Sequence, residues 1–284
     1  MTINGIRLRR NMKLKLAILC SDGPHHVFLV RTLRSHFDVV SVIQEPGNVQ
    51  RRNLARKCRW NDYCWWTYHA LRRRLLGLDA YRFSYFVDSA GDIRLNGIDR
   101  LLVDDINGGR AGDLLRHDGH NLTVVMGTSV LKSDMLDAAG RPILNIHGGY
   151  LPFYRGNHCF FFALYGARTD RVGSTIHLVN EGVDTGDIIR RILVEVHPNE
   201  HPEELYCRAE RGAVLELVTV LKNVEEGQQL QGIKQPGVGK MYRMRDRKPW
   251  HDVRMWLRRR QPRFSPWLFK DPKATRPRAQ VYPS

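Results

Sequence analysis

The strongest constraint on the fold is an alternation near the start of the chain. Lys13 to Cys20 is an apolar run of strand length, closed by the turn Ser21-Asp22-Gly23-Pro24. A stretch of helical character follows to about His36, and Val39 to Ile43 forms a second apolar run. Strand, helix, strand in that order sets the strands parallel, because a crossover helix returns the chain to start the next strand in the same direction. Further strand-like runs at 98–103, 122–126 and 142–147 are spaced by helical stretches such as Lys132 to Ala139. The pattern predicts an α/β, Rossmann-like fold, a mostly parallel sheet flanked by helices. Ser174 to Val179 and Ile188 to Val196 alternate and predict a strand pair joined by the loop 180–186. Pro202 to Glu225 predicts a long amphipathic helix with proline in its first turn. Residues 51–75, rich in Arg, Trp and Tyr, predict an amphipathic helical excursion.

Charge divides the chain unevenly. The net charge is +16, and residues 232–284 hold 15 basic against 3 acidic side chains. The expected organisation is a basic N-terminal extension over 1–12, a catalytic domain over 13–231, and a short basic C-terminal extension rich in Trp, Arg and Pro over 232–284. Such basic segments attract phosphates, nucleic acids or anionic membrane surfaces, or simply aid solubility. For the tail, packing onto the catalytic domain is the leading expectation, ahead of membrane-surface association and nucleic acid. At 42% hydrophobic and 26% charged residues the chain is neither disordered nor a disulfide-stapled miniature. No apolar run approaches the roughly 20 residues of a membrane-spanning helix. The 5 cysteines form no CxxC pair, so neither a disulfide framework nor a metal site is expected. The start, MTINGIRLRRN, lacks the apolar core of a secretory signal, and translation from Met1 or Met12 both fit; a cytoplasmic location is expected. His117, His120, His197 and His201 read as surface residues.

The chemistry concentrates on one strand. Residues two apart in a strand share a face, so Asn145 and His147 project together while Leu144 and Ile146 face the other way. Gly148-Gly149 lets the backbone turn sharply just beyond, at the carboxyl edge where open parallel sheets place their ligands. Leu151 to Gly156 follows (Leu-Pro-Phe-Tyr-Arg-Gly), then Gly173-Ser174-Thr175-Ile176-His177 and the loop Gly182-Val183-Asp184-Thr185-Gly186. In order and spacing these elements resemble the folate-dependent formyltransferases, which include glycinamide ribonucleotide, methionyl-tRNA and sugar-nucleotide N-formyltransferases. The resemblance spans roughly residues 120 to 222. It departs at Gly148-Gly149, where many members have Pro-Ser.

The resemblance implies Asn145, His147 and Asp184 as the catalytic residues and 10-formyltetrahydrofolate as co-substrate. Formyl transfer develops an oxyanion, needs a neutral attacking amine and must protonate the leaving nitrogen. Asn145 is expected to donate to the oxyanion, His147 to share that role and deliver protons, and Asp184 to orient His147. A carboxylate beside an imidazole is expected to raise its pKa and favour its charged form. The folate would lie between Gly127, Thr128, Ser129, Val130 and Leu131 on one side and Asn180, Glu181, Gly182 and Val183 on the other. Ser21, Asp22, His25, His26, Tyr154 and Arg155 are candidate acceptor contacts; for His25 and His26 an exposed loop and a metal pair stay open. The acceptor expected is a small-molecule amine, foremost an amino-sugar nucleotide. Glycinamide ribonucleotide and methionyl-tRNA remain alternatives, as do formyltetrahydrofolate hydrolysis and a non-catalytic basic binding protein. A homodimer stays open, and nucleic acid is a minor expectation. Nicotinamide chemistry ranks low, since no G-x-G-x-x-G fingerprint is present.

Overall fold

The computed structural model describes residues 3–6, 13–90, 98–140, 142–197, 200–237, 239–260 and 280–282. A short strand β1 (Ile3–Ile6) precedes β2 (Lys15–Cys20), α1 (Pro24–Arg34) and β3 (Asp38–Gln44), the expected strand, helix, strand unit. The helices α2 (Gly47–Arg56), α3 (Trp60–Leu75) and α4 (Leu78–Ala90) make the excursion, followed by β4 (Leu101–Leu102) and α5 (Gly109–His117). Next come β5 (Leu122–Met126), α6 (Ser133–Ala138), β6 (Ile143–His147), β7 (Tyr154–Gly156) and α7 (Cys159–Tyr165). The strand pair β8 (Gly173–Leu178) and β9 (Ile188–Leu193) leads into the long helix α8 (Pro202–Glu225). The described chain finishes with β10 (Leu230–Ile233), β11 (Lys240–Tyr242), α9 (Pro249–Arg260) and β12 (Gln280–Tyr282).

The main sheet runs β1-β10-β9-β8-β6-β5-β2-β3-β4, with β12 also paired to β9. From β6 to β4 all pairings are parallel, which gives the Rossmann-like half; β8, β9, β10, β1 and β12 extend it antiparallel. β2 is the middle strand of the parallel half, and Leu16, Ala17, Ile18, Leu19 and Cys20 are all 0% exposed, which explains why it reads as a continuous apolar run. Leu16 and Ile18 face Leu29 and Leu33 of α1 and Leu217 and Leu221 of α8. Ala17 and Leu19 face the other layer, with Leu115 of α5 and Met135 of α6. His201 caps α8 by accepting from Glu203 N at 3.0 Å, with Pro202 in the first turn, so His201 is spent on the helix and is no free surface residue. Among the described residues, no helix is long and apolar enough to cross a membrane.

Other expectations need correction. The run 98–103 yields only Leu101–Leu102 as strand. The His120 side chain is buried between Asp118 and the Ala139 carbonyl, and so is not a surface group. Segments near both chain ends enter the sheet, β1 on β10 and β12 on β9. Backbone ladders at a sheet margin need no apolar alternation, so composition did not signal them. Part of the tail packs: Met255 of α9 is 6% exposed among Phe160, Phe161 and Phe162, and Arg72 reaches Asp252 at 3.4 Å. Trp267 and the rest of 261–279 lie outside the described residues.

Candidate active site

The register between β6 and β8 builds the site. Asn145 pairs with His177 and His147 with Thr175 across these antiparallel strands. The loop after β8 folds back and sets Asp184 Oδ2 3.5 Å from His147 Nδ1 and Asp184 Oδ1 3.6 Å from His177 Nε2. His177 Nε2 lies 3.0 Å from Asn145 Nδ2. The expected Asn145, His147 and Asp184 therefore converge, with His177 linking the amide to the carboxylate.

The carboxylate loop is braced at several points. Asp184 adopts φ +52°, a left-handed conformation that the surrounding contacts must hold. Gly156 N donates to Asp184 Oδ2 at 2.8 Å, and the Arg155 guanidinium donates to Val183 O at 2.9 and 2.5 Å. Gln235 Nε2 donates to Asp184 O at 3.0 Å and to Gly186 O at 2.7 Å. Arg155 and Tyr154, expected at the acceptor, are engaged within the protein. Arg155 is buried on the loop, and Tyr154 stacks on Tyr242 while its carbonyl accepts from His147.

Hydrogen bonds assign the protons. His177 Nδ1 donates to Leu178 O at 2.7 Å, so its Nε2 accepts from Asn145. That leaves the second N–H of Asn145 for a substrate oxygen. His147 Nε2 donates to Tyr154 O at 3.0 Å, so in the neutral ring Nδ1 carries a lone pair beside Asp184. The double glycine makes this bond possible: a Cβ at Gly149 would lie 2.5 Å from His147 Nε2 and 2.8 Å from Tyr154 O.

The electrostatics reverse one expectation. Burial pushes the Asp184 carboxyl up, but His147, His177 and the Gly156 N–H outweigh it and hold the group well below the usual carboxylate range. Burial also acts on His147 and outweighs the upward pull of Asp184, so the imidazole sits below its ordinary value. The neighbouring carboxylate therefore does not keep His147 charged near neutrality; desolvation is the larger effect. Proton NMR should show His147 titrating below pH 6.5, and lower still in Asp184→Asn, which removes the negative charge. A midpoint above 6.5 in the parent protein would contradict this assignment.

Sequence reasoning missed Glu210, a 2% exposed residue of α8. Burial pushes its carboxyl up to about 7, while Ser174 Oγ donates to it at 2.8 Å. A Cβ on Gly148 would lie 3.0 Å from Glu210 Oε1, so an acid able to hold a proton near neutrality stands one residue beyond His147. No local pattern marks one acid among several on a long helix. His177 stood inside a quoted motif but had no role until the strand register was known.

The proposed folate loops lie at the carboxyl end of β5 and beyond β8. Ser129 N donates to Glu45 Oε2 at 2.8 Å, Gln50 to Gly127 O at 3.0 Å and Asn107 to Val130 O at 3.1 Å. Val130 is 61% exposed and Leu131 buried; Asn180, Glu181 and Gly182 are exposed, with Asn180 Oδ1 accepting from Gly182 N and Thr185 Oγ1. Thr128 Oγ1 donates to Ser129 O.

His25 and His26 do not form an exposed loop. They lie in the first turn of α1, 7% and 6% exposed, with His26 accepting from Gly23 N and His25 beside the Tyr206 hydroxyl. Burial lowers His26 to about 4 and takes His25 down as well. Among the described residues, no group of His, Cys, Asp and Glu is arranged to hold a metal ion. Ser21 is buried, and Asp22 Oδ1 accepts from Gly47 N at 3.0 Å.

A cavity of about 750 Å³ is bounded by α3, α4, α7, α8 and α9. Its lining includes Gly148 and Cys159, and the Cys159 Sγ is 3.6 Å from His147 Nε2. Arg72, Arg82 and Arg247 stand in the wall beside Phe160 and Met255. Arg247 is pulled down to about 10 by burial and the neighbouring Arg72, despite its pairing with Asp252. The sequence reading missed this cavity, because its walls come from segments far apart in the chain.

This arrangement defines an α/β protein with an Asn-His-Asp site at the carboxyl edge of a parallel sheet. Its fold is that of the N-formyltransferases. A 4-N formyltransferase from Francisella tularensis aligns over 82% of this chain and 77% of its own, at 17% identity and a TM-score of 0.53. An N-formyltransferase from Helicobacter canadensis, solved with folinic acid and dTDP-3-aminofucose, aligns over 83% of this chain and 72% of its own, at 14% identity and a TM-score of 0.51.

Residues 112–221 match the formyl transferase family model. A methionyl-tRNA formyltransferase from Solibacter usitatus is 33% identical over 117 residues, which are 40% of this chain and 37% of that protein. The chloroplastic phosphoribosylglycinamide formyltransferase of Arabidopsis thaliana is 34% identical over 106 residues, 34% of this chain and 35% of that protein. The chain thus spans little more than a third of the length of these curated relatives.

Proposed function

We propose that the chain transfers a formyl group from 10-formyltetrahydrofolate to the amine of a small molecule, with an amino-sugar nucleotide the foremost acceptor. The observation that carries this reading is the connected set Asn145, His177, Asp184 and His147 at the end of β6. The folate supplies an activated formyl group on nitrogen; the protein's own residues supply the rest. Asn145 donates its free N–H to the formyl oxygen, a contribution typically worth about 3 kcal/mol where charge develops. His147 takes the proton of the attacking amine at Nδ1, and ionised Asp184 stabilises the resulting imidazolium. The same nitrogen returns the proton to the leaving nitrogen as the latter's bond to the formyl carbon breaks. Tyr154 O and Gly156 N keep the imidazole and the carboxylate from rotating away.

The acceptor would enter from the cavity beyond Gly148. Its arginines suit a phosphate-bearing molecule, since guanidinium forks match phosphate oxygens. Aromatic and methionine side chains beside them suit an apolar or ring-containing portion. The relatives named for methionyl-tRNA and for phosphoribosylglycinamide keep those acceptors as rivals.

Incubation with 10-formyltetrahydrofolate and a panel of amines, followed by tetrahydrofolate absorbance, tests the reading. We expect release that depends on an amino-sugar nucleotide and a product one formyl group heavier. Release without any amine would identify a hydrolase, and release only with phosphoribosylglycinamide or methionyl-tRNA would change the acceptor. No release with any of them would overturn the proposal.

A further inference from the structure

Helix α9 carries an apolar arc that its own packing does not use. Trp250, Val253 and Leu257 are 62%, 54% and 52% exposed, and their spacing of three and four residues puts them on one face. The rotation of α9 is set elsewhere. Met255 is buried against Phe160, Phe161 and Phe162, and Asp252 is bonded to Arg72 and Arg247. The arc therefore faces outward by construction. The neighbouring helix α3 adds exposed Leu71 and Leu75, 54% and 75% exposed.

The charge beside this arc is of one sign. Arg254 and Arg258 border it, their guanidinium carbons 5.9 and 5.1 Å from the Tyr165 ring, with Arg258 also donating to Tyr165 O at 2.9 Å. The acid on α9 near the arc, Asp252, is already engaged by two arginines. Tryptophan and aliphatic side chains on one side with arginines along the border is the composition of a helix that lies in a bilayer interface. Each cation near an anionic leaflet strengthens the attraction to its surface. A second copy docked through the same face would set arginine against arginine. A nucleic acid would engage the cations and leave the apolar arc in water.

We propose that this face docks on an anionic lipid surface. Helix α9 lies in the headgroup plane with Trp250, Val253 and Leu257 inserted and Arg254 and Arg258 on the lipid phosphates. Val253 and Trp256 also line the cavity that reaches Gly148, so docking sets the cavity mouth at the lipid surface.

The test is sedimentation of the full chain with phosphatidylglycerol-containing vesicles and with pure phosphatidylcholine vesicles. A Trp250→Ser, Leu257→Ser double variant is run in parallel; both positions are exposed and outside the cavity lining, and its thermal unfolding should match the parent. The expected result is partition onto the anionic vesicles only, weakened by salt and reduced about tenfold or more in the variant. Tryptophan fluorescence of the parent should also be quenched by brominated lipid. The proposal is overturned by failure to bind anionic vesicles, by equal binding of parent and variant, or by absence of quenching. It is also overturned if the two substitutions abolish a dimer seen by sedimentation velocity and leave vesicle binding unchanged.

Discussion

Asp184→Asn should lower formyl transfer by about a thousandfold while leaving the protein folded. The amide keeps an oxygen for the Gly156 N–H, which lies 2.8 Å from Asp184 Oδ2, so the loop retains its anchor. What disappears is the negative charge 3.5 Å from His147 Nδ1, and with it the stabilisation of a proton on that nitrogen. Asn145→Ala and His147→Ala should fall as far, the first by removing the donor to the developing oxyanion and the second by removing the proton acceptor. His177→Ala should cost less, since it acts by positioning Asn145 through a single hydrogen bond of 3.0 Å. Single-turnover assays of the purified variants check the order. Full activity in any of Asp184→Asn, Asn145→Ala or His147→Ala would remove the assigned chemistry.

Gly186→Ala should be the most damaging single-methyl change at the site. A Cβ there would lie 1.8 Å from Leu178 O, a backbone atom of β8 that cannot swing aside. Leu178 N also bonds Asp187 O at 2.9 Å, so relief requires parting the two strands where the loop begins. A loss of about 3 kcal/mol or more is expected, within the range for substitutions that force backbone strain. Because Gln235 ties Gly186 O and Asp184 O together, the carboxylate should shift as well. Activity should then fall even where the variant remains folded. Gly237→Ala, where an added Cβ meets nothing within 4 Å, is the control for both measurements. Unfolding midpoints that agree between the two variants would show that the close approach is not real.

Much of the site was legible along one strand. The period of two puts Asn145 and His147 side by side whatever surrounds them, and the paired glycines announce the turn beyond. Asp184 became legible through its place in a chain of linked motifs that resembles a known family. His177 and Glu210 were not legible in the same way. The first matters because β6 and β8 run antiparallel in a particular register, and the second because one turn of α8 lies beneath Gly148. The sign of the His147 shift was misread for a related reason: a neighbouring carboxylate can be inferred from sequence, but the extent of burial cannot.

The apolar run of β2, the parallel unit it begins, the Asn-x-His strand and the basic tail follow from residue order alone, because they depend on local periodicity and composition. The burial that neutralises His147, the histidine bridge to Asp184, the arginine-walled cavity and the outward rotation of α9 come from the tertiary structure. Each depends on which distant segments share a contact, and desolvation and close approach act only once those segments have met.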